Sequence, residues 1–528
     1  MRKKILVILV TIVMMFGAVF GCSPSYPELN VQEKPDNKYA VTSNGGFVVQ
    51  KGDFIYFVNG YKSIVDEDGK NNIWGEVEKG GIYYAKLTQG TDKEVNDYYG
   101  KYITYDNSNN EFNDEFSGFE TQELTYKDEN NQEQTKNQIK VSPVVSKLVT
   151  NGGYIDGGIY IIDDYIYYAT PTTKKDKKGD VQYELVDFFR TRIDGKGTQY
   201  LYTSKSTSQK PVYGYYKYNN DVFAVFYEAS ESKIYSVEIT DNQKVKKAKV
   251  LADKVTSAIL PQKEVYYDGI SQDMPEDFIY YTREIDIEID SSNEGNIVER
   301  VRPDGSDSEQ IKSGVDVTLD KVSKGHLFYF VDRFENTSNR YYFAQDYNND
   351  DQNSQPVVIF NEPMDSFPTD VFGIVYSYND LLAMAVKGNS TVLYQAGLNT
   401  GEKQYNDKVK VLYVDYNDAY FVIDNTTQES PNLTFADLYK MNYFNGQNEK
   451  LTEVSIKVDF LNIDVAAGYV FYISTVNEIA QTITKDDQTV TVLASSENYV
   501  RLQNMKSATK TEWDMGWLDK VDYPDLDK

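Results

Sequence analysis

The chain has 528 residues, with 81 acidic side chains against 54 basic ones, a formal net charge of -27, one Cys and one His. The lone Cys excludes an internal disulfide and a cysteine-built metal site, the lone His excludes multi-histidine metal centres, and so acidic a chain is a poor match for nucleic-acid phosphate. A 40% hydrophobic, 14% aromatic composition on this length supports a large core and is not that of a wholly disordered chain.

The first 22 residues, MRKKILVILVTIVMMFGAVFGC, read as a targeting segment. Arg2, Lys3 and Lys4 precede an apolar run from Ile5 to Phe20, which is short for a membrane span and suits a signal-peptide core. Val19-Phe20-Gly21-Cys22 resembles a bacterial lipobox, in which a small residue precedes an acylated Cys. The expectation is a lipid anchor at Cys22; the competing reading is an uncleaved membrane anchor. Cleavage before Cys22 removes three positive charges, leaving 54 − 3 = 51 basic and 81 acidic residues, a net of -30. Residues 23–45 begin polar and proline-containing and are expected to be a tether. An acidic body is repelled by anionic lipid, which assigns the anchoring to the acyl chains.

From residue 46 the sequence repeats. Short aromatic runs recur at 53–57 (DFIYF), 164–168 (DYIYY), 221–225 (DVFAV), 277–281 (DFIYY), 326–330 (HLFYF), 380–384 (DLLAM), 418–422 (DAYFV) and 468–472 (GYVFY). The starts from 164 to 468 span 304 residues in six intervals, about 51 each. One unit shows the pattern. GGIYIID is a strand, Asp163-Asp164 a tight turn, YIYYAT a second strand, DFFRTRI a third, DGKG a turn and TQYLYTS a fourth. The second strands are apolar on consecutive residues, so both faces of each small sheet are covered. No stretch of ten or more residues has convincing helical periodicity. The best candidate, Lys244 to Lys254, also reads as a fourth strand.

The expected fold is therefore all-β: a β-propeller of four-stranded blades at 46–517. Eight units are counted at 46–148, 149–206, 211–256, 259–314, 315–363, 370–408, 409–456 and 457–517, or seven if one poor repeat is an insertion. Residues 518–528 form a C-terminal tail. The segment at about 91–140, rich in Asn, Asp, Glu and Gln, is expected to be a flexible insertion or a partner-binding arm.

GGIYIIDDYIYYAT followed by FFRTRIDGKGTQYLYTS is similar to the YWTD-type propeller repeat of low-density-lipoprotein-receptor-like proteins. The chain as a whole resembles secreted lipoproteins of low-GC Gram-positive bacteria that carry such a propeller as a domain of unknown function. The resemblance covers most of residues 46–510. It implies the fold and an extracellular address on the outer face of the cytoplasmic membrane, and no chemistry.

Candidate chemistry is sparse. His326 stands in the turn position that Asp53, Asp164, Asp221, Asp277, Asp380 and Asp418 fill elsewhere, so it reads as a polar turn residue rather than a general base. No G-x-S-x-G elbow accompanies it. Asp66-Glu67-Asp68-Gly69 and the run Asp346 to Gln352 could gather oxygen ligands for Ca²⁺, but neither completes a twelve-residue calcium loop. No metal or other cofactor site is assigned, and no catalytic residue. The loops between second and third strands are long in unit one (59–79), unit two (171–186) and unit eight (475–497), and short in units three, five and six. In a closed ring the long ones form a contiguous crescent, with Trp74, Asp66, Asp68 and Tyr183 as candidate ligand contacts. The expected function is a binding or interaction module for an envelope protein or a glycan. The alternative is a carboxylate-based glycoside hydrolase or lyase on the same scaffold.

Overall fold

The computed structural model describes residues 28–58, 81–89, 116–145, 158–260 and 278–515, apart from connecting stretches inside those spans. The chain is a β-propeller. Among the described residues, eight antiparallel sheets of four or more strands follow one another in sequence. Unit three is the plainest. Val212–Tyr218, Asp221–Glu228, Lys233–Ile239 and Lys249–Ala252 lie side by side in chain order. Unit two has the same order in Tyr160–Ile162, Tyr165–Pro171, Val186–Arg192 and Gln199–Thr203. The stretch from Lys244 to Lys254 contains no helix; Lys249–Ala252 pairs with Ile234–Ser236 as a fourth strand.

Burial explains why the second strands are apolar without alternation. Phe54, Ile55, Tyr56 and Phe57 are all buried, as are the six residues from Val222 to Tyr227. A strand sandwiched between two neighbouring sheets has no wet face, so polar residues have no place on it. The cores lie between sheets. One cluster joins unit two (Tyr167, Phe188, Tyr202) to unit three (Ala224, Phe226, Val237). Others join units three and four through Val225 and Tyr281, and units four and five through Tyr280 and Leu327. Ring pairs knit these seams. Tyr202 stacks on Phe226 with centroids 4.2 Å apart, and Phe188 tilts against the same ring at 4.6 Å. Each such pair adds about 0.5–1.5 kcal/mol beyond its area burial.

The ring closes through side chains. Fully buried Phe471, from the second strand of the last unit, belongs to the cluster of Phe47, Val48 and Phe57 in the first. Among the described residues, all strands of the first sheet come from 41–145 and all strands of the last from 463–515, so no strand crosses between them.

The repeated turn residue has a definite place. Asp221, Asp380, Asp418 and His326 each open a second strand, and Asp221, Asp380 and His326 pair with the last residue of the first strand. Asp221 shows its use: its carboxylate accepts a hydrogen bond from the Asp241 N–H at 2.8 Å, tying one turn to the next within the sheet.

Two sequence expectations need correction. Residues 28–45 are not a free tether. Leu29 and Val31 donate backbone hydrogen bonds to the carbonyls of Gly195 and Asp194, Pro35 is buried, and Val41–Thr42 pairs with Lys51 and Gln50. The latter half of the polar insertion is built into sheet. Phe116–Phe119 pairs with the end of the third strand of unit one, Thr121–Lys127 and Glu133–Ile139 form a hairpin, and Val141–Val145 closes the unit as its fourth strand. The polar composition hid this because a two-stranded excursion has little apolar surface to cover.

Candidate functional site

Antiparallel order gives each sheet two different ends. The first-to-second and third-to-fourth turns emerge on one face, here the turn face, and the second-to-third connections on the opposite, loop face. On the loop face the chain leaves unit one after Phe54–Val58 and returns at Ile82–Gln89. It leaves unit two after Tyr165–Pro171 and returns at Val186–Arg192. It leaves unit eight after Tyr469–Val476 and returns at Glu497–Asn504. The last connection carries its own hairpin, Ala480–Lys485 with Gln488–Leu493. Trp74, Asp66, Asp68 and Tyr183, together with Cys22, lie outside the described residues.

The described loop face does bring titratable groups together, at the seam between units two and three. Glu228 ends a second strand and is fully buried. Its Oε1 accepts hydrogen bonds from the Tyr202 hydroxyl and the Lys205 N–H, both at 3.0 Å, while its buried Oε2 has no partner. Burial pushes the Glu228 carboxyl above the ordinary range, against the pull of those two bonds. The Tyr202 phenol is pushed up by burial and by the neighbouring Glu228 carboxylate. The Tyr235 phenol is pushed up to about 12, by burial and by its hydrogen bond to Glu231. The Lys205 ammonium stands 5.0 Å from the Tyr202 ring and 5.7 Å from the Tyr235 ring, in cation–π range. Beside them the Thr203 hydroxyl donates to the Asp187 carboxylate, and Ser204 exchanges hydrogen bonds with the Val186 backbone. Exposed Lys205 and Glu231 flank the partly exposed Tyr235 ring, with Tyr202 buried beneath, a combination suited to stacking against and hydrogen-bonding a polar ligand. Sequence reading passed over Glu228. Its one signal was a carboxylate closing the apolar run DVFAVFY, where an acid is costly to bury.

The turn face holds a different cluster. Lys51, 1% exposed, donates through Nζ to the Asp163 carbonyl at 2.5 Å, and burial lowers its ammonium below the ordinary range. Lys217 donates to both carboxylate oxygens of Asp163, at 2.7 and 2.9 Å. Asp163, at φ +51° in the tight turn of unit two, is thus gripped from units one and three. Behind it Arg190, 1% exposed, spreads its guanidinium over Gln199, Gln243 and the Tyr167 hydroxyl and lies 4.1 Å from the centre of the Tyr165 ring. Gln243 belongs to the third-to-fourth turn of unit three, so Arg190 bolts two units together. These interactions position the sheets and leave the loop-face seam as the candidate site. Among the described residues there is no group of three or more His, Cys, Asp or Glu side chains that could hold a metal ion.

No protein-family model matches the chain, and no curated protein matches it. Solved structures do. The β-propeller domain of the Trilobed protease from Pyrococcus furiosus is 8% identical at a TM-score of 0.34, covering 71% of this chain and 93% of its own. A prolyl endopeptidase is 12% identical at a TM-score of 0.37, with 88% of this chain aligned to 60% of that one, so the chain spans less than two thirds of that enzyme's length. An oligogalacturonate lyase in complex with manganese is 10% identical at a TM-score of 0.34, covering 71% of this chain and 96% of the lyase.

Proposed function

We propose that the protein is an eight-bladed, lipid-anchored propeller on the outer face of a bacterial cytoplasmic membrane, acting as a binding module for an envelope protein or glycan. The observation that carries the reading is the gathering of the longest second-to-third connections at adjacent units. Turns of two or three residues join first to second strands in every unit but the fourth, where 260–278 intervenes; Asn219-Asn220 between Tyr218 and Asp221 is an example. Among the second-to-third connections, the longest leave the opposite face from units eight, one and two, with strands of units one and two and Phe471 of unit eight in one buried cluster, while the turn face carries the third-to-fourth connection of unit one at 90–140. A rigid scaffold with its variable loops gathered at one end is the general plan of a recognition surface. The seam of Tyr202, Lys205, Glu228 and Tyr235 extends it.

The test removes the loops one at a time. Variants shortened within 59–79 or within 477–496, and still folded by circular dichroism, are assayed for co-sedimentation with cell-wall glycan and for cross-linking on intact cells. Loss of either interaction in one or both variants supports the reading, and undiminished binding in both refutes it. Release of soluble saccharide from the glycan would replace it with the glycosidase or lyase reading. The anchor is tested separately. Cys22→Ser releases protein from the membrane fraction or leaves the precursor unprocessed, and an unmodified Cys22 in an intact mass spectrum rules the anchor out.

A further inference from the structure

We infer that the turn face around units two and three lies against the anionic lipid surface, so that the loop face points away from the membrane. The inference rests on the reading of Cys22 as the anchor and adds to it a direction. Its first support is where the described chain begins. Glu28 accepts a hydrogen bond from the Gly197 N–H at 3.0 Å, and Leu29 and Val31 bond to the carbonyls of Gly195 and Asp194. All three contacts are with the third-to-fourth turn of unit two. The segment then crosses to unit one, where Glu33 meets the Lys86 ammonium at 2.8 Å, and the Tyr39 ring covers Gly52 in the tight turn. The strap therefore runs along the turn face from unit two to unit one. Six Cα steps separate Cys22 from Glu28, a reach of roughly 20 Å at full extension. The second strand of unit three is eight residues long, roughly 26 Å from face to face. An anchor held so short on one face cannot deliver the other face to the bilayer.

The second support is charge. The protein is acidic as a whole, yet the turn and outer strand at 240–249, TDNQKVKKAK, carry four lysines against Asp241 alone. Lys244, Lys246 and Lys247 are exposed, Lys246 within an ion pair with Glu238, and Lys196 in the turn that holds the strap is exposed too. The two turns are neighbours, because Arg190 bonds to Gln199 beyond one and to Gln243 within the other. Lysines near a membrane surface are attracted to anionic headgroups within a Debye length, each by roughly a fivefold change in partitioning. The basic turn thus sits beside the anchor point, where it offsets the repulsion of the acidic body.

The chain's only native Cys is the anchor itself, so an introduced Cys can be labelled uniquely in the acylated protein. Two full-length variants, Asn242→Cys on the turn face and Ser230→Cys on the loop face of the same unit, are labelled and reconstituted into vesicles containing phosphatidylglycerol and headgroup-nitroxide lipid. Quenching is expected to be several-fold stronger at 242 than at 230, and the ratio to fall when Lys244→Glu, Lys246→Glu and Lys247→Glu are combined. Equal or reversed quenching overturns the inference, as does a ratio unmoved by the three reversals. A parallel arm replaces residues 1–22 with a hexahistidine tag on nickel-chelating lipid. There an unbiased ratio refutes the orientation whatever the state of Cys22, whereas an unmodified Cys22 in the native protein refutes the anchor alone.

Discussion

Arg190→Ala should loosen the seam between units two and three. In the native protein the guanidinium makes five hydrogen bonds: two to Gln199 Oε1 (2.8 and 2.5 Å), one each to Gln243 Oε1 (2.9 Å) and the Gln243 carbonyl (3.2 Å), and one to the Tyr167 hydroxyl (3.3 Å). None of these acceptors is a carboxylate, so the charge is held by dipoles and by the face of Tyr165. Gln243 is exposed and Gln199 partly so, which lets water replace their bonds after truncation. Tyr167, 1% exposed, has no such access. The uncompensated losses are one buried hydroxyl at about 1–2 kcal/mol, the cation–π contact at about 1 kcal/mol and the packing of a fully buried stem at about 1–2 kcal/mol. The sum is about 3–5 kcal/mol. Arg190→Lys keeps the charge but not the fork and should cost about half as much. Because a ring of repeats need not unfold as one body, the assay is hydrogen exchange under native conditions, comparing 186–203 and 233–252 with the second strand of unit five, alongside urea unfolding. A cost below about 1 kcal/mol for Arg190→Ala, or exchange raised equally everywhere, would refute the reasoning.

Glu228→Gln should be more favourable at pH 7 than at pH 4.5. Burial raises the native carboxyl, so the stability that Glu228 contributes is complete below its unfolded pKa of about 4.3 and is lost as pH rises through the native value. Urea midpoints for both proteins at both pH values check this, and a pH-independent difference would contradict it. Gly158→Ala should cost at least about 3 kcal/mol or eject the 44–46 segment, because a Cβ there would lie 1.8 Å from the Gly45 carbonyl oxygen; a Tm within a degree of wild type would show that the contact yields. Gly195→Ala, at φ +79° and with the Leu29 carbonyl 2.6 Å from the new Cβ, should free the strap and speed cleavage after Glu33 by a Glu-specific protease; an unchanged cleavage rate would argue against the docking. The hairpin of Thr121–Lys127 and Glu133–Ile139 should show slowed amide exchange, whereas exchange at the unprotected rate would deny the pairing.

The propeller was legible because its requirements are local and repeated. A strand covered on both faces must be apolar throughout, as Val222 to Tyr227 are, and the tight turn before it favours a short polar residue such as Asp221. Even His326 declared its place by the position it shares with those aspartates. The strap was not legible. Its ties to Asp194, Gly195 and Gly197 run largely through backbone groups, which any residue supplies, so a polar segment with a buried Pro35 looks the same as a loose one. Arg190 was hidden for a related reason. In FFRTRI an Arg at an alternate position reads as solvent-facing, and only the neighbouring unit's Gln243 turn buries it. The Glu228 seam joins residues from two repeats, and a repeat pattern describes one unit at a time.

Closure by packing alone sets a timetable for the growing chain. Val49 is buried in the cluster that Phe471 completes, 422 residues later in the sequence. At about 5–20 residues per second of synthesis, roughly 20–85 s separate the appearance of the two. Through that interval the flank of the first unit presents Phe47, Val48 and their neighbours without the surface that finally covers them. Whatever keeps the chain from self-association during those seconds acts on an edge that the finished ring no longer displays, and a truncation before 471 would make that passing state permanent.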